Sequence, residues 1–411
     1  MKRGPAAPGA LLVALLVALL VALPAFAGES DADFAASKGS AAEAQLQERQ
    51  RAAVRTIPGT DTQYLLSGYL QVDGIAQRKR QDGDEQNTFF ASAIPFDPAG
   101  SDQRLSVRQS QFNWLSRTPT GSGPVETRLE ANLFPLDGKT ELTVNQAFVR
   151  LDDHILVGKT YSTFMDDGAL PTTLDYNGPG GVTFVRQWLA RGTLKLGSGW
   201  ALEAAVEEPQ ADLSAGGTVL GVASSAQRPD LAARLRHESD GGHFQLAGLS
   251  RHVSVGITRA AATAQRTFNG TGVSLSGSLS VLADDTLLFQ AATGKGVGRY
   301  FNDPLSATGL ALKADGTLDL ARTSGATLYY QRKWAPDWMT VAGASTLRLS
   351  DDGLHAPEAL RRIKYVSLNL IHRLAPTLLV GAEAIWGEAI RADSAAATNL
   401  RLQFSVRYLI F

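Results

Sequence analysis

The sequence predicts an all-β protein: an up-and-down transmembrane β-barrel of sixteen antiparallel strands whose third long loop folds into the lumen. Three observations lead there. From Tyr64 onward, apolar residues recur with a period of two rather than 3.6. The alternating segments are joined by links that are by turns short and long. After one apolar run near the N-terminus, no stretch is long enough for a membrane helix. Residence in a membrane would then need a closed barrel, the other structure that pairs every backbone group in lipid.

The chain opens with Lys2 and Arg3, an unbroken apolar run from Ala10 to Leu23, then Pro24, Ala25, Phe26 and Ala27. This is the charged, apolar and small-residue pattern of a secretory signal peptide spanning 1–27, with cleavage expected after Ala27. An uncleaved anchor is the alternative, but the run is shorter than the roughly 20 residues that span a bilayer. Of 39 basic residues, Lys2 and Arg3 leave with the leader, and 40 acidic ones remain to balance the rest. A nearly neutral chain carries no strong field for nucleic acid. With no cysteine, neither a disulfide framework nor a thiolate metal site is available.

Residues 28–62 read as a periplasmic lead-in. Ala41 to Arg55 is built of helix formers, but Leu46 is its only large apolar residue before Val54. A short helix or a disordered segment is expected there, rather than a stable coiled coil.

The barrel domain is expected over 63–411, with strands near 64–77, 104–117, 125–134, 142–151, 154–163, 183–196, 200–208 and 230–238. Eight more lie near 243–255, 268–281, 286–293, 325–333, 339–350, 362–373, 377–388 and 399–410. In the first, Leu66, Leu70, Val72 and Ala76 share one face, and Ser67, Tyr69, Gln71 and Asp73 the other. In the third, Val125, Thr127, Leu129, Ala131 and Leu133 alternate with Glu126, Arg128, Glu130 and Asn132. A soluble sandwich would show the same alternation, so the connections decide. Short turns at 121–124, 152–153, 197–199, 239–242, 283–285, 335–337 and 375–376 carry the Gly, Pro, Asp and Ser of tight hairpins. The intervening links, such as 78–103, 209–229 and 294–324, are longer and polar, with a near-tie at 135–141. Such segregation marks an outer-membrane barrel, and sixteen strands leave room for an aqueous channel. Residues 310–321 also alternate, but an extra strand would make the count odd, so they stay in the sixth long loop.

The third long loop contains VGKTYSTFMDDGALPTTLDYNGPGG, Val157 to Gly181. Alternation stops there and Pro171, Pro179 and the glycines at 178, 180 and 181 take over, which cannot continue a sheet. A loop of that length inside a domain is usually functional. Its candidate constriction residues are Asp166, Asp167, Asp175 and Pro179. The acids either pin the loop to wall arginines or cap turns within it.

The inward faces should carry Arg128, Arg150, Arg191, Lys195, Arg234 and Arg236, with Glu126, Glu130, Glu203 and Glu207 on neighbouring strands. Two readings are open. A ladder of cations at a constriction favours anions, whereas charges that pair across strands merely solvate the wall. Lys159 shares parity with Ile155 and Val157, and would face inward only if Gly158 marks a bulge. GKGVGR, Gly294 to Arg299, lacks the spacing and the following helix of a phosphate-binding loop and reads as turn glycines. The six histidines show no tight zinc spacing, so no cofactor and no metal are expected. Trp114, Trp188, Trp200, Trp334, Trp338 and Trp386 fall near strand ends or outward faces, where interfacial girdles belong.

Several segments, taken together and in order, resemble the DcaP family of trimeric bacterial outer-membrane porins. They are SGYLQVDGIAQ at Ser67 to Gln77, RQSQFNW at Arg108 to Trp114, VGKTYSTFMD and LPTTLDYNGP between Val157 and Pro179, EEPQ at Glu207 to Gln210, GKGVGRYFND at Gly294 to Asp303, and the final strand. The resemblance implies a homotrimeric channel for passive diffusion of small hydrophilic solutes, biased to organic anions such as dicarboxylates. It implies as partners the outer-membrane bilayer, small anionic solutes and the outer-membrane assembly machinery. Two features depart from the family: the lead-in lacks a long coiled coil, and Phe411 is one residue out of register with Leu402, Phe404, Val406, Tyr408 and Ile410. The competing readings are a general non-selective porin, a secreted β-sandwich adhesin, and a lipase-type outer-membrane hydrolase. The hydrolase would use Ser250 and His252, which share a strand face but have no evident third partner or oxyanion donors.

Overall fold

In a computed structural model of the protein, residues 53–81, 87–134, 140–209, 221–224, 228–259, 262–282, 284–303, 310–312, 318–350 and 357–410 are described. The expected signal peptide, most of the lead-in and terminal Phe411 lie outside them.

Sixteen wall strands run up and down. They are β1 (Gln63–Gln77), β2 (Asp102–Ser106 and Gln111–Thr118, interrupted at 107–110), β3 (Val125–Asn132), β4 (Thr143–Leu151), β5 (Ile155–Tyr161), β6 (Arg186–Gly197), β7 (Trp200–Glu207) and β8 (Gly221–Ser224 and Asp230–Ser239). The second half comprises β9 (Gly242–Arg259), β10 (Ala262–Leu282), β11 (Asp285–Lys295), β12 (Arg322–Ala335), β13 (Trp338–Leu349), β14 (Leu360–Ala375), β15 (Leu378–Arg391) and β16 (Ala396–Ile410). Each pairs antiparallel with its neighbours, and β16 returns to β1 from Gly68↔Ile410 to Gln77↔Arg401, which closes the sheet and leaves no edge.

The wall is polar inside and apolar outside. On β1, Gln71 and Asp73 are 1% and 0% exposed, while Leu70 and Val72 are 50% and 47% exposed. A water-soluble sandwich would reverse this, so the burial pattern itself requires lipid outside. Trp188, Trp200, Trp334 and Trp386 are exposed on that outer surface, and Trp338 stacks on His372 at 3.9 Å.

The structure revises two expected long links. β9 and β10 have 18 and 21 residues, so the link expected over 256–267 shrinks to 260–261. The link expected over 389–398 shrinks to 392–395, between β15 and β16. Beyond the membrane both faces of a strand meet water, so the apolar alternation fades while backbone pairing continues. Residues 310–321 do stay in the sixth long loop, where Leu310–Leu312 pairs with Leu318–Leu320 as a small separate hairpin.

Inward apolar side chains gather on one flank. Phe89 and Ile94 of the first long loop, Phe164 of the third, and Val297, Tyr300 and Phe301 of the sixth pack against Leu347, Leu349, Ile363, Tyr365 and Ile385. Leu174 of the third loop packs with Leu288, Tyr329, Met339, Val341 and Ile371. The loops therefore fill the side of the lumen walled by β11 to β15, and charged inward positions remain along β3 to β8.

Candidate functional site: the loop across the lumen

The chain leaves the wall at Tyr161 and rejoins it at Arg186. Its first turn is capped by Asp166, whose carboxylate accepts Gly168 N at 3.1 Å at the start of the 3-10 turn Asp167–Ala169.

Three sets of inward side chains hold the loop. At its start, Ser162 Oγ and Thr163 N both donate to Glu207 at 2.7 Å. Arg191 donates to Thr163 Oγ1 at 2.9 Å and to the carbonyl of Tyr161. At the second anchor the Asp166 carboxylate meets Arg236 Nη1 at 2.9 Å, His243 Nε2 at 2.9 Å and Ser276 Oγ at 2.7 Å. Beside it Met165 O accepts Arg234 Nη1 at 3.1 Å and Gln245 Nε2 at 2.9 Å. At the third, Leu174 N and Asp175 N donate to Glu383 at 2.7 and 2.8 Å. The Asp175 carboxylate there accepts Thr88 Oγ1, Phe89 N, Gly178 N and Arg401 Nη1 at 3.0 to 3.1 Å. These partners sit on β6 to β10, β15 and β16, so the loop crosses the barrel from wall to wall. Gly181 needs to be glycine for the exit: it donates to Ser345 Oγ at 2.8 Å, and a Cβ would lie 2.4 Å from both Ser345 Oγ and Thr346 O.

Burial alone would push the Asp166 carboxyl up, but the hydrogen bond and charge of His243, the charge of Arg236 and the Ser276 hydroxyl outweigh it and hold it down to about 2. Because the folded value is depressed, this anchor is at full strength above the ordinary carboxylate value of 3.8 and is lost as pH falls through about 2. Single-channel conductance is therefore expected to change between about pH 4 and about 2, as the Asp166 anchor is lost. Conductance that stays constant over that window in inserted protein, or that changes there equally in Asp166→Asn, would contradict this.

Between the loop and β4 to β8 lies a cavity of about 620 Å³. Arg150, Arg191, Lys195, Arg234 and Arg236 line it together with Asp153, Asp167, Glu203 and Glu238. Arg191 and Arg234 share one carboxylate, Glu203, at 3.6 and 2.8 Å. Arg236 spans Asp166 and Glu238 at 2.9 and 2.8 Å. Lys195 pairs with Asp153 at 2.9 Å, and Arg150 with Glu126. Asp167 is exposed on the loop side.

Arg128 and Glu130 form a second group, paired at 2.7 Å with Gln146 at 2.9 Å and Arg186 at 3.6 Å from the same carboxylate. Asp175 and Pro179 are buried away from the cavity. Pro179 O accepts Asn302 Nδ2 at 3.4 Å, tying the third loop to the sixth. Lys159 stays outward, because β5 runs without a register shift and sets it opposite Trp188. Ser250 and His252 stand on β9 opposite Thr271 and Asn269. Among the described residues no cluster of three metal-binding side chains occurs.

Sequence reasoning named Asp175 as a loop acid that could meet a wall arginine but not its partner Arg401 nor Glu383, and it missed His243. Arg401 was legible by parity, since Leu400 and Leu402 flank it on the outward face. The carboxylates it and the loop would meet, Asp175 and Glu383, are far away in sequence and left no local signal.

A family model described as the porin subfamily matches residues 55–410. The outer membrane channel DcaP of Acinetobacter baumannii superposes with a TM-score of 0.74 at 17% identity, covering 87% of this chain and 100% of that one. The anion-selective porin from Comamonas acidovorans gives 0.55 at 10% identity over 85% and 100% of the two chains. The trimer form of OmpT from Vibrio cholerae gives 0.50 at 11% over 84% and 99%. No curated protein sequence matches. A model match over nearly the whole barrel, together with sixteen closed strands and a loop through their lumen, leads to one conclusion: the chain belongs to the porin subfamily and is an outer-membrane porin.

Proposed function

We propose that the protein is exported with loss of residues 1–27 and forms a homotrimeric channel for small hydrophilic solutes, biased toward organic anions such as dicarboxylates. The pore of each subunit passes between the third loop and the wall of β4 to β8. Arg150, Arg191, Lys195, Arg234 and Arg236 line it with Glu203, Arg128, Glu126 and Glu130 continue the charged wall on β3, and Asp166, Asp167, Asp175 and Pro179 belong to the constricting loop. The observation that carries the reading is the row of Arg150, Arg191, Lys195, Arg234 and Arg236 along one wall of the cavity, five cations against the four acids Asp153, Asp167, Glu203 and Glu238 of its lining, with Arg191 and Arg234 sharing Glu203. Hydrogen bonds that both guanidiniums donate to the loop, to Thr163 Oγ1 and Met165 O, hold them in place, so the field needs no reorganisation as a solute passes. The trimer follows the resemblance to trimeric porins, among which OmpT from Vibrio cholerae has a trimer form.

Arg191→Gln and Arg234→Gln test the bias. Removing a unit charge about 4 Å from a passing ion changes its energy by roughly 1 kcal/mol in water. Each substitution should therefore cost chloride and favour potassium by about fivefold each, lowering the chloride-to-potassium permeability ratio by up to about thirtyfold, with unit conductance largely kept. Flux of a short aliphatic dicarboxylate into liposomes should fall in step. An unchanged ratio in the double variant would overturn the anion bias and favour a non-selective porin.

A further inference from the structure

The pore leaves one charged residue of the loop motif unused. Lys159 lies on the lipid side of the wall, two residues from the end of β5. Its neighbours in register are Ala147 on β4 and Trp188 on β6. Its ammonium bonds only a backbone carbonyl among the described residues, Val144 O at 2.8 Å. Both Trp188 and Ala147 also line an outward groove of about 750 Å³, whose walls include Val149, Val157, Ala190, Val206 and Pro209. Val149, Val157, Trp188 and Val206 are about half exposed there, at 49%, 53%, 56% and 49%.

β5 spans only seven residues, against the roughly 9 to 11 of a full transmembrane strand. Its long-loop end faces the outside of the cell, so Lys159 sits at the boundary of the outer leaflet, where an amine needs an anion. We propose that this groove holds one acyl chain of an anionic lipid of the outer leaflet, with the lipid phosphate on Lys159. Two other charged residues of the groove lining turn inward: Glu207 is bonded to Ser162 and Arg128 to Glu130. Among the described residues of the lining, Glu208, at the rim, is the acid that acts on Lys159 and opposes the phosphate.

The test uses the full chain in neutral detergent, with brominated lipids as quenchers of tryptophan fluorescence. Subtracting the Trp188→Phe signal from that of the wild type isolates Trp188. Dibromo-phosphatidylglycerol should quench this component at a lower concentration than dibromo-phosphatidylcholine. Lys159→Gln should weaken the phosphatidylglycerol effect roughly fivefold, the value of one lysine near an anionic headgroup. Glu208→Gln should strengthen it, and Ala190→Leu, which fills the groove without adding a fluorophore, should weaken quenching by either lipid. Conductance and selectivity of Lys159→Gln should match the wild type, which separates this site from the pore. Equal quenching by the two lipids, no effect of Lys159→Gln, or a Trp188 component that neither lipid reaches because a second copy covers it would each overturn the proposal.

Discussion

Asp175→Ala is expected to cost about 3–5 kcal/mol, because it strips the carboxylate from an arginine that cannot reach water. Asp175 and Arg401 both have side chains 0% exposed, 3.1 Å apart. Asp175 also gathers Thr88 and Phe89 of the first loop and Gly178 of its own loop. The loss should appear in two ways: a lower urea midpoint for protein refolded into vesicles, and a larger, noisier single-channel conductance as the third loop swings free. Asp175→Leu combined with Arg401→Met should recover most of the stability, since replacing a buried pair by apolar groups of similar volume is often neutral. If the single variant conducts and unfolds like the wild type, the pair does not hold the loop.

Tyr300→Ala is the second large effect. The ring is 0% exposed and meets Phe164 edge-on at 5.6 Å, and the hydroxyl donates to Asp230 at 2.9 Å. Removing such a ring costs about 3–5 kcal/mol. It belongs to the sixth loop and touches none of the barrel's backbone ladder, so the cost should be local. Amide exchange should rise at Phe164 and Met165 while the strands keep their protection, and conductance should increase. Tyr300→Phe keeps the ring and should lose less, about 2–3 kcal/mol, because its hydroxyl donates to the Asp230 carboxylate and accepts from Gln187 Nε2. Uniformly faster exchange throughout the strands after Tyr300→Ala would show that the loops and the wall unfold as one unit.

Much of this architecture was legible because a membrane barrel is patterned by its two solvents. β1 and β16 show it best: Leu70, Val72, Phe404 and Tyr408 meet lipid and announce the strand, and Gln71, Asp73 and Gln403 mark its inner face, whereas on β3 the alternation ends at a register shift between Glu130 and Ala131, and Ala131 is buried. The pattern fails where the solvents change. The upper parts of β9 and β10 lose the apolar alternation in sequence yet stay paired up to Arg259↔Ala262. On β13 the inward Met339, Val341 and Leu347 are apolar because loops, not water, lie against them. The loop that crosses the lumen was recognisable from its prolines and glycines, and the cations along β4 to β8 from parity. What no local pattern carries is which inner residue meets which loop residue. Glu383 binds Leu174 from 209 positions away, and His243 meets Asp166 across 77. Those contacts exist only once the barrel has closed.

A water-filled path beside a fixed row of cations is tested most directly by planar-bilayer recording of the purified protein across a potassium chloride gradient. The expected result is conductance that closes in steps of three, with a reversal potential whose sign reports chloride preference. Triplet steps with potassium preference would contradict the role given to Arg191 and Arg234, and folded, inserted protein that passes no current would contradict the channel itself.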